Sequence, residues 1–245
     1  MSDEYLAIPA GTPCEERFGT PTHQLEPSTR MLQIYAFCNL GYGAPCIRML
    51  EALVAEHRDI RCTLVLSCSS QGTGLRSLFR RAGTWWQSRH AARSLSVRLV
   101  ADINDRKFID SVAQGAIGVV CGFNQIFRQD CISRFGLLVN CHPSILPYYR
   151  GAIPSYWAIR RGETVSGFTL HKITPRIDSG EILFQEYVQI SSGDNESTLD
   201  NRISQAGAEV LRKLILGFRD GEPFERRILD SPYINALAYV PKDRS

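Results

Sequence analysis

The chain has 245 residues, 44% of them hydrophobic and 22% charged, with a formal net charge of +3. That length suits one α/β domain with a substantial core and a small appendage, and the composition excludes disordered, fibrous and disulfide-scaffold classes. The mild basicity (pI ≈ 8.4) is too weak for a charge-driven nucleic-acid surface; the one dense basic stretch, Arg76 to Arg93, reads as a solvated helix face.

Residues 1–30 carry Pro9, Pro13, Pro21 and Pro27 without a usable period, which predicts an extended or disordered arm. Their start, Met1-Ser2-Asp3-Glu4-Tyr5, has neither the basic leader nor the apolar run of a signal peptide. Leu32 to Phe37 predicts a first strand and Arg48 to Glu56 an amphipathic helix. Between them Gly41-Tyr42-Gly43-Ala44-Pro45 makes a glycine-rich turn into a helix start, a place friendly to anions. Cys46 stands where a dinucleotide fingerprint has its third glycine, so a tight strand-to-helix turn is the expectation.

Arg61 to Ser67 and Ser96 to Val100 predict the second and third strands. The polar segment between them carries Trp85-Trp86, adjacent residues that face different ways, one toward a core and one half-exposed. Asp105 to Ala113 predicts a helix and Ile117 to Cys121 a buried strand, after which Gly122 to Ile126 leaves the sheet. Pro154 to Arg161 predicts a short helix opened by proline. Val165 to Ile173 and Ile182 to Ile190 are alternating runs, a hairpin-like pair. Ser197 to Gly217 has helical apolar spacing closed by glycine, and Arg227 to Leu229 and Ala238 to Val240 leave room for short strands. The alternation predicts an α/β fold: an open, mostly parallel, twisted Rossmann-like sheet with helices on both faces and a short C-terminal extension.

Eight cysteines occur without a Cys-x-x-Cys pair or a Cys/His zinc spacing, and Cys38, Cys62, Cys121 and Cys141 lie in or beside apolar runs. They read as small buried hydrophobes of a reduced, cytoplasmic protein, with no metal site expected. No apolar run approaches membrane-spanning length, so no membrane partner is expected either.

Chemistry concentrates in Phe135 to Gly151. A short apolar strand, Leu137-Leu138-Val139, runs into Asn140 and His142, which alternation puts on one face with Cys141 on the other. Pro143 and Pro147 then force the chain out of the sheet. Asp178, in a turn between the two alternating runs, can reach the same space. An amide donor, an imidazole and a carboxylate suit acyl-transfer chemistry.

The pattern Asn140-x-His142-Pro143-Ser144-Ile145-Leu146-Pro147-x-x-Arg150-Gly151, followed by Gly167-Phe168-Thr169-Leu170-His171 and Asp178-Ser179-Gly180, resembles the signature of the folate-dependent formyltransferases. That resemblance covers roughly residues 31–218, which it marks as a catalytic domain, leaving residues 219–245 as a short extension. It implies transfer of a formyl group from N10-formyltetrahydrofolate, without a metal, with Asn140, His142 and Asp178 as catalytic residues. It assigns Phe123, Asn124, Gln125, Ile126, Cys131, Leu138, Ile173 and Asp178 to the folate, and Ser144, Arg150 and Gly151 to the acceptor. His171 is assigned to orienting Asp178 or to packing. The glycine turn departs from the phosphate loop of glycinamide ribonucleotide transformylases, and residues 222–245 leave no room for the β-barrel domain that methionyl-tRNA formyltransferases use on tRNA. The expected partner is therefore a small-molecule amine, first an amino sugar on a nucleotide, with a hydroxyornithine-type or antibiotic-precursor amine as the alternative. A formyl-folate hydrolase and a non-catalytic binding module rank lower. No nucleic-acid partner is expected, and a homodimer is left open.

Overall fold

A computed structural model of the chain describes residues 31–68, 92, 94–234 and 237–240. The arm at 1–30 and the Trp85-Trp86 segment, on which expectations above rest, lie outside the described residues. In chain order the elements are β1 (Leu32–Cys38), α1 (Ala44–Glu56), β2 (Ile60–Ser67), β3 (Ser96–Val100), α2 (Arg106–Ser111), β4 (Ala116–Cys121), α3 (Gln129–Ile132) and β5 (Phe135–His142). They continue with β6 (Arg150–Gly151), α4 (Pro154–Arg160), β7 (Val165–Lys172), β8 (Ile182–Gln189), α5 (Glu196–Asp220) and β9 (Tyr239–Val240).

Seven strands form one sheet in the order β3-β2-β1-β4-β5-β7-β8. The first five are parallel, while β7 runs antiparallel to both its neighbours, β5 and β8. Local sequence explains the division. β4 reads Ala-Ile-Gly-Val-Val-Cys and is buried at every position, as a central parallel strand covered on both faces must be. Along β8 one face passes from buried, at Leu183 and Gln185, to exposed, at Tyr187 and Gln189, while the other face is half-buried throughout, as fits a strand at the margin of the sheet.

Alternation along β1 sends Ile34, Ala36 and Cys38 to one face, where α1 and α5 supply Leu50, Leu53, Leu199 and Leu211. Tyr35 and Phe37 go to the other face, against Phe108, Phe127 and Phe135. Phe37 is fully buried and meets Phe108, Phe123, Phe127 and Phe135 edge-on, at centroid distances of 6.0, 5.4, 4.9 and 6.0 Å. A capping box of Asn195 and Thr198 starts α5, and Gly221, left-handed at φ 71°, ends it. Among the described residues no helix is long and apolar enough to cross a membrane.

Among the described residues, which leave out most of the Arg76 to Arg93 stretch, the expected strands and helices are present, with three differences. β5 runs beyond Val139 through His142, because β7 supplies an antiparallel partner as far as the pair His142–Thr169. The four-residue α3 and the two-residue β6, which pairs with β9, are too short to carry a detectable period. The run Arg227–Leu229 contributes one bridge, Phe184 to Arg227, instead of a strand.

Candidate active site

The site is assembled at the seam where the sheet changes from parallel to antiparallel. β5 delivers Asn140 and His142 to one face, and β7 places His171 opposite Asn140. The turn between β7 and β8 brings Asp178 over them. A Cβ at Gly180 would run into the Lys172 carbonyl oxygen, so glycine there lets the turn close against the strand. Asp178 itself is left-handed, at φ 45°.

The Asp178 carboxylate is the hub. Its Oδ2 accepts from the Gly151 N–H at 2.8 Å and lies 3.6 Å from His142 Nδ1. Its Oδ1 lies 3.4 Å from the Asn140 amide nitrogen and 3.6 Å from His171 Nε2. The two imidazoles are fixed by carbonyls, which only accept. His142 Nε2 is 2.9 Å from the Tyr149 oxygen, so it carries the proton, and in the neutral ring Nδ1 turns its lone pair toward Asp178. His171 Nδ1 donates to the Lys172 oxygen at 2.9 Å, and its Nε2 accepts from the Asn140 amide at 3.1 Å.

Burial pulls the His142 imidazole below its ordinary value, with the Asp178 charge resisting. Burial would push the Asp178 carboxyl up, but the His142 charge, His171 and the Gly151 N–H together hold it well below the usual carboxylate range. At neutral pH the pair is a carboxylate beside a neutral imidazole. His142 does not look into open space as its strand position suggests: it is 3% exposed. Asp178 is the member that reaches the surface, on a cavity of about 320 Å³ lined also by Leu146, Pro147, Arg150, Ser179 and Gly180.

A buried polar frame holds the proline loop over this hub. Thr169 Oγ1 donates to the Ser144 carbonyl and accepts from Leu146 N–H. Gln185, fully buried, donates to the Leu146 carbonyl and to Thr169 and accepts from Leu229 N–H. Tyr233 accepts from Ile145 N–H at 2.7 Å. Tyr149, whose carbonyl fixes His142, donates its hydroxyl to buried Glu163 at 2.7 Å and its N–H to the Leu237 carbonyl at 2.6 Å. Glu163 also accepts from Ile234 N–H at 2.7 Å. Tyr149 (φ 56°), Ile153 (φ 50°) and Asp178 are the non-glycine residues in left-handed conformations among those described. Each costs about 1–3 kcal/mol and persists only where the surroundings over-determine it; for the β-branched Ile153 the outlier is pronounced.

A second cavity, about 250 Å³, opens at the C-terminal ends of β1, β2 and β4, with Asn39, Leu40, Ser67, Gly122, Phe123 and Asn124 on its walls. Strand order reverses between β1 and β4, the place where open α/β sheets bind ligands. Gln125 turns its side chain inward, to Ser67, the Ala101 carbonyl and Ile103 N–H, and so pins the loop. Ile126 is exposed, and its carbonyl accepts from Asn104.

The other residues assigned by resemblance are placed less openly. Cys131 and Leu138 are buried in the aromatic layer, and Ile173 packs against it; they back the 122–127 loop from behind. Ser144 is 1% exposed and donates its hydroxyl to the Tyr148 carbonyl, a staple inside the proline loop. Arg150 and Gly151 are at the hub, Gly151 through its N–H and Arg150 on the cavity wall.

Sequence reasoning passed over Tyr149, Glu163, Thr169, Gln185 and Tyr233. Gln185 alone left a signal, a polar residue on the inward beat of an alternating strand. Tyr149 acts through its backbone carbonyl, which side-chain type does not reveal.

Comparison with known proteins bears on this arrangement. The profile of the formyl transferase family matches residues 49–215. The chain belongs to that family. It is similar to the methionyl-tRNA formyltransferase of Koribacter versatilis, 31% identical over 195 residues, covering 77% of this chain and 60% of that protein. The chain thus spans about three-fifths of that relative's length. Among solved structures it is similar to glycinamide ribonucleotide transformylase 1 of Symbiobacterium toebii, with a TM-score of 0.58 and 24% identity, covering 82% of this chain and 95% of that one. It is also similar to a sugar 3N-formyl transferase solved in the presence of dTDP and 5-N-formyl-THF, with a TM-score of 0.57 and 20% identity, covering 86% and 70%. At these identities the structures establish the fold, and three different acceptors appear among the three relatives.

Proposed function

We propose that this chain is an N-formyltransferase that moves the formyl group of N10-formyltetrahydrofolate to a primary amine of a small molecule, first an amino sugar carried on a nucleotide. The observation that carries the reading is the convergence of Asn140, His142 and Asp178 on one hub, in a chain of the formyl transferase family. Residues 31–218 form the catalytic domain in this reading and 219–245 an extension, with 1–30 an arm. The seven described cysteines are free and buried, which suits a reducing, cytoplasmic setting.

The amine nitrogen attacks the formyl carbon, and the carbonyl electrons move onto oxygen. The His142–Asp178 pair takes the proton the amine must lose: Asp178 lines the cavity, His142 Nδ1 holds the lone pair behind it, and the ionised carboxylate stabilises the imidazolium that forms. The Asn140 hydrogen that faces Asp178 at 3.4 Å is the weaker of its two contacts and turns to the oxyanion. Collapse breaks the bond to the folate N10, which takes up a proton as tetrahydrofolate leaves. The folate lies against Phe123, Asn124, Gln125 and Ile126, with Cys131, Leu138 and Ile173 behind them. Arg150 and Gly151 face the acceptor. The buried Arg150 Nε has no hydrogen-bond partner among the described residues, a donor suited to an anionic acceptor such as a nucleotide diphosphate.

The test measures tetrahydrofolate release by the full chain with formyl-folate and a panel of amines. Nucleotide amino sugars should turn over fastest, and His142→Asn should lower kcat by about 10²–10⁴-fold in a folded protein. Turnover only with amino-acid-type amines moves the acceptor to the alternative class, and turnover only with methionyl-tRNA moves it to that of the sequence relatives. Release without an amine identifies a hydrolase, and no release with any of them leaves a binding module.

A further inference from the structure

Three cysteines from three elements meet at one point beneath the cavity between β1 and β4, and a fourth, Cys141, adjoins them through Cys121. Cys38 ends β1, Cys121 ends β4 and is its register partner, and Cys46 sits in the first turn of α1. The three Sγ atoms lie within 4.8 Å of one another, the one such group of potential metal ligands among the described residues. All three are at most 2% exposed. Cys121 also makes a sulfur hydrogen bond to Cys141, from β5, whose Sγ in turn accepts from the Tyr42 hydroxyl at 3.7 Å.

A buried thiol ordinarily fills space like a methyl group, as do Cys62, in the same core layer but outside the close trio, and Cys131, in the opposite layer. Space-filling and the S–H···S hydrogen bonds that link them give no strong reason for three sulfurs on three elements to point at one another, because S–H is a weak donor and S a weak acceptor. A soft cation gives one. Thiolate–zinc bonds of about 2.3 Å put tetrahedral sulfurs about 3.8 Å apart, so the trio needs to contract by at most about 1 Å. The first turn of α1 favours negative charge at Cys46. Cys38 lines the cavity above, which supplies a route inward.

We propose that Cys38, Cys46 and Cys121, with Cys141 as the fourth sulfur, bind one thiophilic cation of the Zn²⁺ class. Each S–H releases its proton to solvent as its sulfur–metal bond forms. The site joins β1, α1 and β4 at the floor of the cavity. Asn39 already donates its N–H to the Cys121 carbonyl there at 3.3 Å, so metal occupancy stiffens both the Asn39 and Gly122 walls. The inference stands independently of formyl transfer.

The experiment titrates the reduced, chelator-treated full chain with Cd²⁺ and follows the ultraviolet thiolate-to-cadmium charge-transfer band. A band that saturates at one ion per chain, is lost on Zn²⁺ competition, and is absent from Cys38→Ala and Cys121→Ala but kept in Cys62→Ala supports the site. No saturable band in the folded wild type overturns it, and so does a band retained in Cys121→Ala or lost equally in Cys62→Ala. Should the alanine variants fail to fold, alkylation of the wild type decides. Stoichiometric Zn²⁺ should protect three or four of the eight cysteines, and equal labelling with and without metal overturns the proposal.

Discussion

The parallel half of the sheet and its antiparallel margin are held together by different forces. From β3 to β4 the core is aromatic rings, aliphatic side chains and thiols, and its strands hold one another through the backbone ladder. From β5 to β8 buried polar side chains (His142, Glu163, Thr169, His171 and Gln185) are each held by hydrogen bonds. The difference teaches where precision is built. Apolar packing sets that β1 and β4 lie side by side, but it is non-directional and tolerates small shifts. Hydrogen bonds with fixed donors and acceptors hold an imidazole tautomer and a carboxylate within a few tenths of an ångström. Both candidate sites lie at the C-terminal ends of strands, and it is in the polar margin that an imidazole and a carboxylate are paired.

Damage to the apolar half should show first in stability. Phe37→Ala removes the ring that four others pack against and should destabilise the fold by about 3–5 kcal/mol, measured by denaturant unfolding. If the comparison is right, the fraction that stays folded keeps its pH dependence, because the hub is not touched.

Damage to the polar margin should show in both stability and turnover. Glu163→Ala leaves the Tyr149 hydroxyl and the Ile234 N–H without this acceptor, a loss of about 1–3 kcal/mol. It also frees the carbonyl that holds His142 Nε2. The expected signature is a fall in kcat larger than the change in KM, with Glu163→Gln restoring much of it. Equal effects on both constants count against the positioning role.

The smallest effects are in pH dependence. His142 is depressed below its unfolded value, so its contribution is complete above about pH 6.5 and is lost as pH falls from there toward the folded value. Asp200 runs the other way. Burial pushes its carboxyl up to about 6, so its contribution is present below about 3.8, the unfolded value, and is lost as pH rises through about 6. His142→Asn should therefore lessen the acid loss. Asp200→Asn should gain roughly 1–2 kcal/mol at neutral pH, allowing for a part-exposed carboxylate. Melting temperatures of the wild type and both variants between pH 5 and 8 separate the two, and parallel curves for all three disprove the assignment.

The sequence by itself determined the α/β alternation, because hydrophobic period is local and a fully apolar run such as Ile117 to Cys121 leaves a central strand few alternatives. It also determined that Asn140 and His142 share a face, since alternation along a strand is geometry. Tertiary structure alone decided that His142 is covered, that Ser144 is a loop staple, and that the Tyr149 carbonyl fixes the imidazole. Each depends on backbone groups and on contacts from segments distant in the chain. Cys38, Cys46, Cys121 and Cys141 make the same point most plainly. Their spacing along the chain has no ligand pattern, and only parallel pairing of β1 with β4, with α1 laid across them, brings the sulfurs together. Local periodicity fixes which side a residue faces, and long-range packing fixes what it meets there.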